Sequence, residues 1–410
     1  MTASLLTRHG APVPSDRERE LFEAAEALGK ALAADVRERD AANRPPVAEA
    51  QALRDSGLLP LTVPARFGGE GISWSTAFEI VQRIGRQDNS TAQLLGYHYI
   101  FQAFPYLDLD DDAAARLAEQ TLAGGWLFSS TGTPQGQQVQ ARRVEGGYVI
   151  NGRKPFATGS YVADRIYGRA ILTREDGTST RLALLIDTAW EGVVRHDDWD
   201  VLGSRLTATN TIEFRDVFVP DAAVVADLGA SDEARAPHQV LATPAFQLLF
   251  STAYLAAAEG AVLAARDYTR STSRPWYHAE GLESAAEDPF ILNHYGSFVA
   301  HLTGLSAVVR EAAQALDWAW GQGAALTAAE RAGVAEQVAA AKVLAHEVAL
   351  DVTAKVYDAM GARAAGTGYG FDRHWRDVRT HTLHDPVAYK YNELGRFFLN
   401  GTEPIPSAYR

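Results

Sequence analysis

Residues 369–386 read Y-G-F-D-R-H-W-R-D-V-R-T-H-T-L-H-D-P. The stretch follows a long Ala/Val-rich segment and a glycine-rich break, and its second half gathers polar groups. His381, His384 and Asp385 recur at i, i+3 and i+4, which on a helix places all three on one face. Pro386 closes the group, so the cluster belongs at a helix end rather than inside one. Two imidazoles and a carboxylate so spaced can exchange protons near neutral pH. A solvated helix end, or a metal site of two His and one Asp, would use the same residues.

Working outward, the segment before this stretch reads as a helix over 328–359. Thr327-x-x-Glu330 opens it as a capping box, and Gly361 follows its end. Val334, Val338, Ala341, Ala345, Val348 and Val352 make one narrow stripe of small apolar residues, which lets helices approach closely. Segments 243–272 and 288–320 are of similar length, and antiparallel helices of this length are what a four-helix bundle needs.

Upstream, from Trp126, the pattern changes. Val139, Ala141 and Val144 alternate with polar residues, Gly146-Gly147 marks a hairpin, and 148–150 reads as a strand. Asn151-Gly152 is a type I′ turn signal. Short β-rich runs follow at 165–172, 181–186, 192–195 and 209–214, with turns at Asp176-Gly177 and near Pro220. Strands so spaced predict a small barrel or sandwich of about 100 residues.

The first part is helical. The first dozen or so residues, through Pro12 and Pro14, are polar and should be loose. Ser15 and Glu18 form a capping box, and Leu21, Ala25, Leu28, Leu32 and Val36 follow at helical spacing until 43–46, N-R-P-P, stops the helix. Residues 47–58 are helical again, 61–71 form a loop eased by Gly68, Gly69 and Gly71, and helices resume from Ser75 past Asp110. The chain thus reads as mainly α with a central β-domain: an N-terminal helical domain over 1–122, a β-domain over 123–236 and a C-terminal helical bundle over 237–410.

Composition narrows the function. The chain has 410 residues, 47% apolar and 22% charged, and a net charge of −13. That balance argues against nucleic acid or an anionic membrane as partner. There is no cysteine, hence no disulfide, thiolate nucleophile or thiolate-bound metal. No apolar run approaches the roughly 18 residues that cross a bilayer, and the N-terminus lacks the apolar core of a signal peptide. A cytoplasmic protein is expected. No Gly-x-Gly-x-x-Gly or Walker motif marks a nicotinamide or nucleotide site.

This order, with these local sequences, resembles the acyl-CoA dehydrogenase fold over nearly the whole chain. The loop G-L-L-P-L-T-V-P-A-R-F-G-G-E-G (57–71) resembles that family's N-terminal Pro/Gly signature, and N-G-R-K-P-F-A-T-G (151–159) resembles the hairpin that flanks its flavin. Within the fold the chain is similar to the oxygenase branch, the flavin-dependent monooxygenases typified by dibenzothiophene monooxygenases. G-Y-H (96–98), D-D-W (197–199), A-R-D-Y-T-R-S-T-S-R-P-W (265–276), the opening stretch 369–386 and L-N-G-T-E-P-I-P (399–406) carry that likeness. Two dehydrogenase elements are missing. Where the glutamate of Tyr-Glu-Gly-Thr would remove a substrate α-proton, this chain has His384-Asp385-Pro386; where Thr-Glu-Pro…Gly-Ser-Asp would stand, it has S-S-T-G-T-P (129–134).

The resemblance implies a two-component, reduced-flavin-dependent monooxygenase. A separate NAD(P)H:flavin reductase supplies the flavin, and dioxygen adds to it as a C4a-hydroperoxyflavin, which must be kept dry. The substrate is small and hydrophobic, aromatic or heteroaromatic, and is oxygenated at sulfur, nitrogen or ring carbon. By the same match Phe156 and Thr158 lie beside the isoalloxazine ring, Thr158 near N5, and Ser130 bonds a flavin or peroxide oxygen. Trp199, Phe156, Tyr97 and Phe250 are candidates for an apolar wall. Gln93 and Ser130 stand where the thiophene enzyme has a histidine and an asparagine, which changes hydrogen-bonding capacity at the reacting centre. Arg274 and Arg363 are candidates for the flavin phosphate. In the resembling enzymes one such arginine comes from a neighbouring subunit, which implies an obligate homo-oligomer, a tetramer. His381, His384 and Asp385 manage protons, with a histidine near its ordinary pKa of about 6.5 and Asp385 orienting a ring. No metal is required. M-G-A-R-A-A-G (360–366) replaces the dehydrogenases' adenylate-binding element, which favours reduced FMN, with FAD as the alternative. The competing functions are an acyl-CoA dehydrogenase using Asp385 as base, and a non-catalytic flavin-binding scaffold.

Overall fold

The computed structural model describes residues 13–132 and 138–410. The first dozen residues, expected to be loose, and Thr133-Pro134 lie outside the described residues. Helix α1 (Asp16–Ala33) starts at the capping box, where the Ser15 amide donates to Glu18 Oε2 at 2.8 Å and the Glu18 amide to Ser15 Oγ at 3.2 Å. The helix does not run on to Val36. It breaks, and α2 (Val36–Ala42) turns the Arg39 guanidinium inward, where it donates to the Leu32 carbonyl at 2.6 Å and pairs with Glu49 and Asp88, each at 2.9 Å. That arrangement gives the carbonyls at the end of α1 a donor and the two buried acids a counter-charge. Helices α3 (Val47–Asp55), α4 (Trp74–Gly85), α5 (Asn89–Ala103) and α6 (Asp111–Gly124) complete the first layer, and every residue of α5 is buried.

The middle of the chain forms one eight-stranded sheet of β1 (Phe128–Ser130), β2 (Gln140–Val144), β3 (Gly147–Ala157), β4 (Arg165–Thr173), β5 (Ser179–Asp187), β6 (Val193–Arg195), β7 (Asn210–Pro220) and β8 (Val224–Asp227). Its order is β6-β7-β3-β2-β4-β5-β8, with β1 parallel to β4. Asn151-Gly152 is not a turn. Strand β3 runs straight through it, and the pairing with β7 slips between Ile150 and Gly152. The Asn151 amide nitrogen donates to Asp216 Oδ1 at 2.8 Å, and the Asp216 backbone amide donates back to Asn151 Oδ1 at 2.9 Å. A Cβ on Gly152 would sit 2.9 Å from Val139 Cα, so the glycine serves a bulge at a close strand approach.

The C-terminal part packs α7 (Ala242–Ser271), α8 (Pro289–Gln322) and α9 (Ala328–Met360) together, with α10 (Asp372–His381) across α7 and α9 and α11 (Val387–Asn400) along α9. The close packing of α9 follows from its small residues: Ala341, Ala345 and Ala349 are fully buried. Contrary to the sequence expectation, the segment Pro237–Ser271 is long and apolar enough to cross a membrane by length and composition. Its apolar window is 94% buried within the fold, because α7 is the central helix and touches α4, α5, α8, α9 and α10. An all-round apolar helix is what such a position requires.

Candidate active site

Between α5, α7, the end of α10 and the cavity-facing strands β1, β3 and β4 lies a cavity of about 490 Å³. Gln93, Tyr97 and Phe101 face it from α5 at i, i+4 and i+8; Phe246 and Phe250 face it from α7. The two helices nearly touch beside it, since a Cβ on Gly96 would lie 2.1 Å from Leu249 Cδ1. Tyr97, Phe101, Phe246 and Phe250 pack ring against ring with centroids 5.2–6.5 Å apart.

Helix α10 stops at His381, and a turn follows, with the His384 amide donating to the His381 carbonyl at 3.0 Å. His381, His384 and Asp385 therefore do not share a helix face. The helical conformation is disfavoured at Asp385 because Pro386 follows it. The turn still stacks the imidazoles, 5.8 Å apart and 11° from parallel, with Phe250 against both at 4.5 and 4.8 Å. Both rings line the cavity; Asp385 does not. It lies behind His384, whose Nδ1 is 3.1 Å from Asp385 Oδ1. Lys342 Nζ, from α9, donates to Asp385 Oδ1 at 3.1 Å and to Gln247 Oε1 at 2.9 Å, and Gln247 Nε2 donates to Asp385 Oδ2 at 3.4 Å.

Electrostatics separates these groups. Burial alone would raise Asp385, but the His384 hydrogen bond and the Lys342 charge outweigh it and hold the carboxyl well below the usual carboxylate range. Burial pulls Lys342 down to about 8, with Asp385 opposing. His381 does not keep an ordinary imidazole pKa: burial, then the neighbouring His384 and Lys342, push it well down, so it is neutral. Its Nδ1 is 2.9 Å from the Tyr254 hydroxyl and its Nε2 is 3.5 Å from that of Tyr97. Burial raises both phenols, which remain protonated.

The opposite wall comes from the β-domain. Phe156, at φ +59° and 66% exposed, meets Trp199 edge-to-face at 6.2 Å, and Trp199 Nε1 donates to the Ser204 carbonyl at 2.9 Å. A large side chain held in the left-handed region is strained, a feature that concentrates at functional sites. Thr158 Oγ1 lies 3.1 Å from Thr209 Oγ1, and Ser130 opens to the cavity. Gln93 Nε2 reaches Ser204 Oγ at 3.4 Å. The Ser204 amide donates to the buried Asp377 of α10 at 2.6 Å, which fixes this loop to the helical part. Exposed Phe156, half-buried Trp199 and the hydroxyl row suit a planar heteroaromatic ring with a polar edge, and the volume is that of a small-molecule site. Arg274 and Arg363 are exposed and do not line this cavity. Among the described residues no cluster of three or more His, Cys, Asp or Glu could hold a metal.

Lys342, Gln247 and Tyr254 were not singled out from the sequence. A signal existed for Lys342: it is a lone charge in A-A-A-K-V-L-A (339–345), in the middle of an apolar stripe.

Residues 15–108 match the acyl-CoA dehydrogenase N-terminal domain and residues 248–388 the C-terminal domain of the same family. The chain belongs to the acyl-CoA dehydrogenase family, among its flavin-dependent monooxygenases. It is 38% identical to a dibenzothiophene monooxygenase of Mycolicibacterium goodii, over 99% of this chain and 97% of that one. It is 36% identical to SfnC of Pseudomonas putida, a probable FMNH2-dependent monooxygenase, over 97% of this chain and 99% of that one. The crystal structure of TdsC from Paenibacillus sp., in complex with FMN and indole, superposes with a TM-score of 0.91 at 38% identity, covering 96% of this chain and all of that one.

Proposed function

We propose that the chain is the oxygenase component of a two-component, reduced-FMN-dependent monooxygenase. It works in the cytoplasm with a separate NAD(P)H:flavin reductase and inserts one atom of dioxygen into a small hydrophobic, aromatic or heteroaromatic substrate at sulfur, nitrogen or ring carbon. The observation that carries this reading is the placement of Asp385. A dehydrogenase needs a carboxylate base facing its substrate; here the carboxylate is turned away from the cavity and held ionised by the His384 hydrogen bond and Lys342, which makes it a weak base. The cavity presents two imidazoles instead.

Reduced FMN, when bound, supplies the two electrons that divide dioxygen into one transferred atom and one water. Phe156 and Trp199 would hold its ring, with Thr158 and Ser130 bonding its polar edge. Tyr97, Phe250 and the aromatic row beside them would exclude water. Gln93 would meet the substrate. His384 is the proton-handling group: Asp385 occupies its Nδ1, which leaves Nε2 to give or take a proton at the cavity wall. Asp385 and Lys342 act through it as positioning residues. Neutral His381 joins the Tyr97 and Tyr254 hydroxyls, a route along which a proton can pass. Arg274 and Arg363 would reach the flavin phosphate only across a subunit boundary, so a homotetramer is part of the proposal. The same dependence on an arginine at residue 363 favours FMN over FAD.

The test is a reductase-coupled reaction under oxygen-18 gas with dibenzothiophene and indole. One labelled oxygen atom per product is expected. No labelled product from either compound, together with anaerobic bleaching of the oxidised flavin by an acyl-CoA, would return the chain to the dehydrogenases.

A further inference from the structure

We infer that Arg169 makes the end of the cavity remote from the histidines a site for an organic oxyanion, so the substrate is an apolar ring system bearing a carboxylate or sulfinate. Tyr167 and Arg169 are two apart on β4, so they share one face of the strand, and both line the cavity. The Phe250–Phe246–Phe104 row leads from the histidines toward Asp108, with successive centroids 6.5 and 6.4 Å apart. At that end each carboxylate already has a cationic partner. Arg235 binds Asp108 at 2.5 Å, Gln239 donates to the same oxygen at 3.1 Å, and Arg181 binds Asp232 at 2.9 Å. Asp108, Arg169, Arg235 and Asp232 line the cavity together with Tyr167, and their charges bear on its phenol.

Among the described residues, Arg169 is the guanidinium left over. It is half-buried, and among the described residues it has no hydrogen bond or ion pair. Among the described residues, three guanidinium groups therefore face two carboxylates at this end, in a chain whose net charge is −13. A surface arginine without a partner is ordinary, because water solvates it. In a cavity wall it keeps a planar fork of donors aimed at whatever fills the space. A carboxylate or sulfinate accepts two parallel bonds from such a fork, and the Tyr167 hydroxyl stands beside it as a further donor. The ring system would then lie along the aromatic row, with its reacting atom toward His384. This last step rests on the monooxygenase reading; the oxyanion site itself does not.

The test is isothermal titration of the full-length protein with benzothiophene-2-carboxylate and with the neutral, equally sized benzothiophene-2-carboxamide. Wild type should bind the acid about tenfold more tightly, the usual scale for a charge-assisted pair. Arg169→Met should abolish that preference, and Arg169→Lys should keep part of it. Equal affinity of the two ligands for wild type, or a preference that survives in Arg169→Met, overturns the inference. So does a loss in Arg169→Met of discrimination between FMN and riboflavin, which would assign the guanidinium to the flavin phosphate. Should Arg169→Met fail to fold, wild type and Arg169→Lys still decide. Oxygen-18 incorporation into the amide separates the two claims. Oxygenation without acid preference removes only the oxyanion site; acid preference without oxygenation removes only the monooxygenase reading.

Discussion

Replacing Lys342 by Met should expose how the site is held together. Methionine has a similar length and an apolar end, so packing against Phe250 is largely kept. The loss is electrostatic. Asp385, whose side chain is only 8% exposed, keeps His384 and Gln247 but loses its full cation. Removing one partner of a buried ion pair costs about 3–5 kcal/mol, because the other charge stays desolvated. With an unfolding entropy of roughly 2.1 cal/mol/K per residue over this chain, that is a fall in Tm of roughly 3–6 °C. Differential scanning calorimetry at pH 7 should compare wild type, Lys342→Met, Asp385→Asn and the double variant. The double variant should regain most of the loss, since neither charge is then stranded. The pH dependence follows from the direction of the Asp385 shift. Its folded pKa lies below its unfolded one, so its stabilisation is present above about pH 4 and is lost as pH falls through the folded value. In Lys342→Met the hold weakens, burial pushes the carboxyl up, and the acid limb should move to higher pH. A single variant that loses less than about 1 °C, or a double variant whose loss is the full sum of the singles, would refute the account.

Three further outcomes are expected. His384→Phe should still take up reduced FMN but leak hydrogen peroxide, with product formation down by roughly 10²–10⁴, the contribution of a positioned acid or base; wild-type coupling of oxygen to product would make the histidine structural. Gly203→Ala should lose about 1–3 kcal/mol and loosen the Trp199–Ser204 wall, because its Cβ would lie 2.1 Å from the Arg376 carbonyl; an unchanged Tm would show that the approach to α10 is soft. Asp377→Asn keeps an acceptor for the Ser204 amide and removes a carboxyl that burial raises to about 7. Wild-type stabilisation from the protonated Asp377 is full below about pH 4 and is lost as pH rises through about 7, so Tm should fall between pH 5 and pH 8 in wild type by more than in the variant. Equal falls would show that Asp377 is ionised throughout.

Much of the scaffold was legible. The capping boxes at Ser15 and Thr327 mark helix starts because they satisfy backbone amides with local side chains, and locality is what a sequence shows best. The last of the three long C-terminal helices follows from its apolar stripe and its cap, and the other two from their length. Asn151-Gly152 misled because the same dipeptide suits a turn or a bulge, and only the approach of Val139 and the bonds to Asp216 decide between them. The stretch 369–386 pointed to the imidazoles, but not to their stacking, since Pro386 breaks the helical geometry on which the spacing argument relied. Lys342 and Gln247 were missed for another reason. They meet Asp385 from helices 43 and 138 residues away in sequence, and the lone lysine in an apolar stripe has meaning only once α7, α9 and the turn after α10 converge. Arg169 alternates with buried neighbours on β4 and reads as the solvent side of a strand until the cavity is seen.

The most direct measurement mixes the protein and anaerobically reduced FMN with oxygenated buffer in a stopped-flow spectrophotometer. The account predicts a transient absorbance band of oxygenated flavin that outlives the same species in free solution, shortens in the presence of a productive substrate and releases little hydrogen peroxide when that substrate is present. Reoxidation at the rate of free FMN, with no transient and full peroxide yield whatever substrate is added, would contradict it.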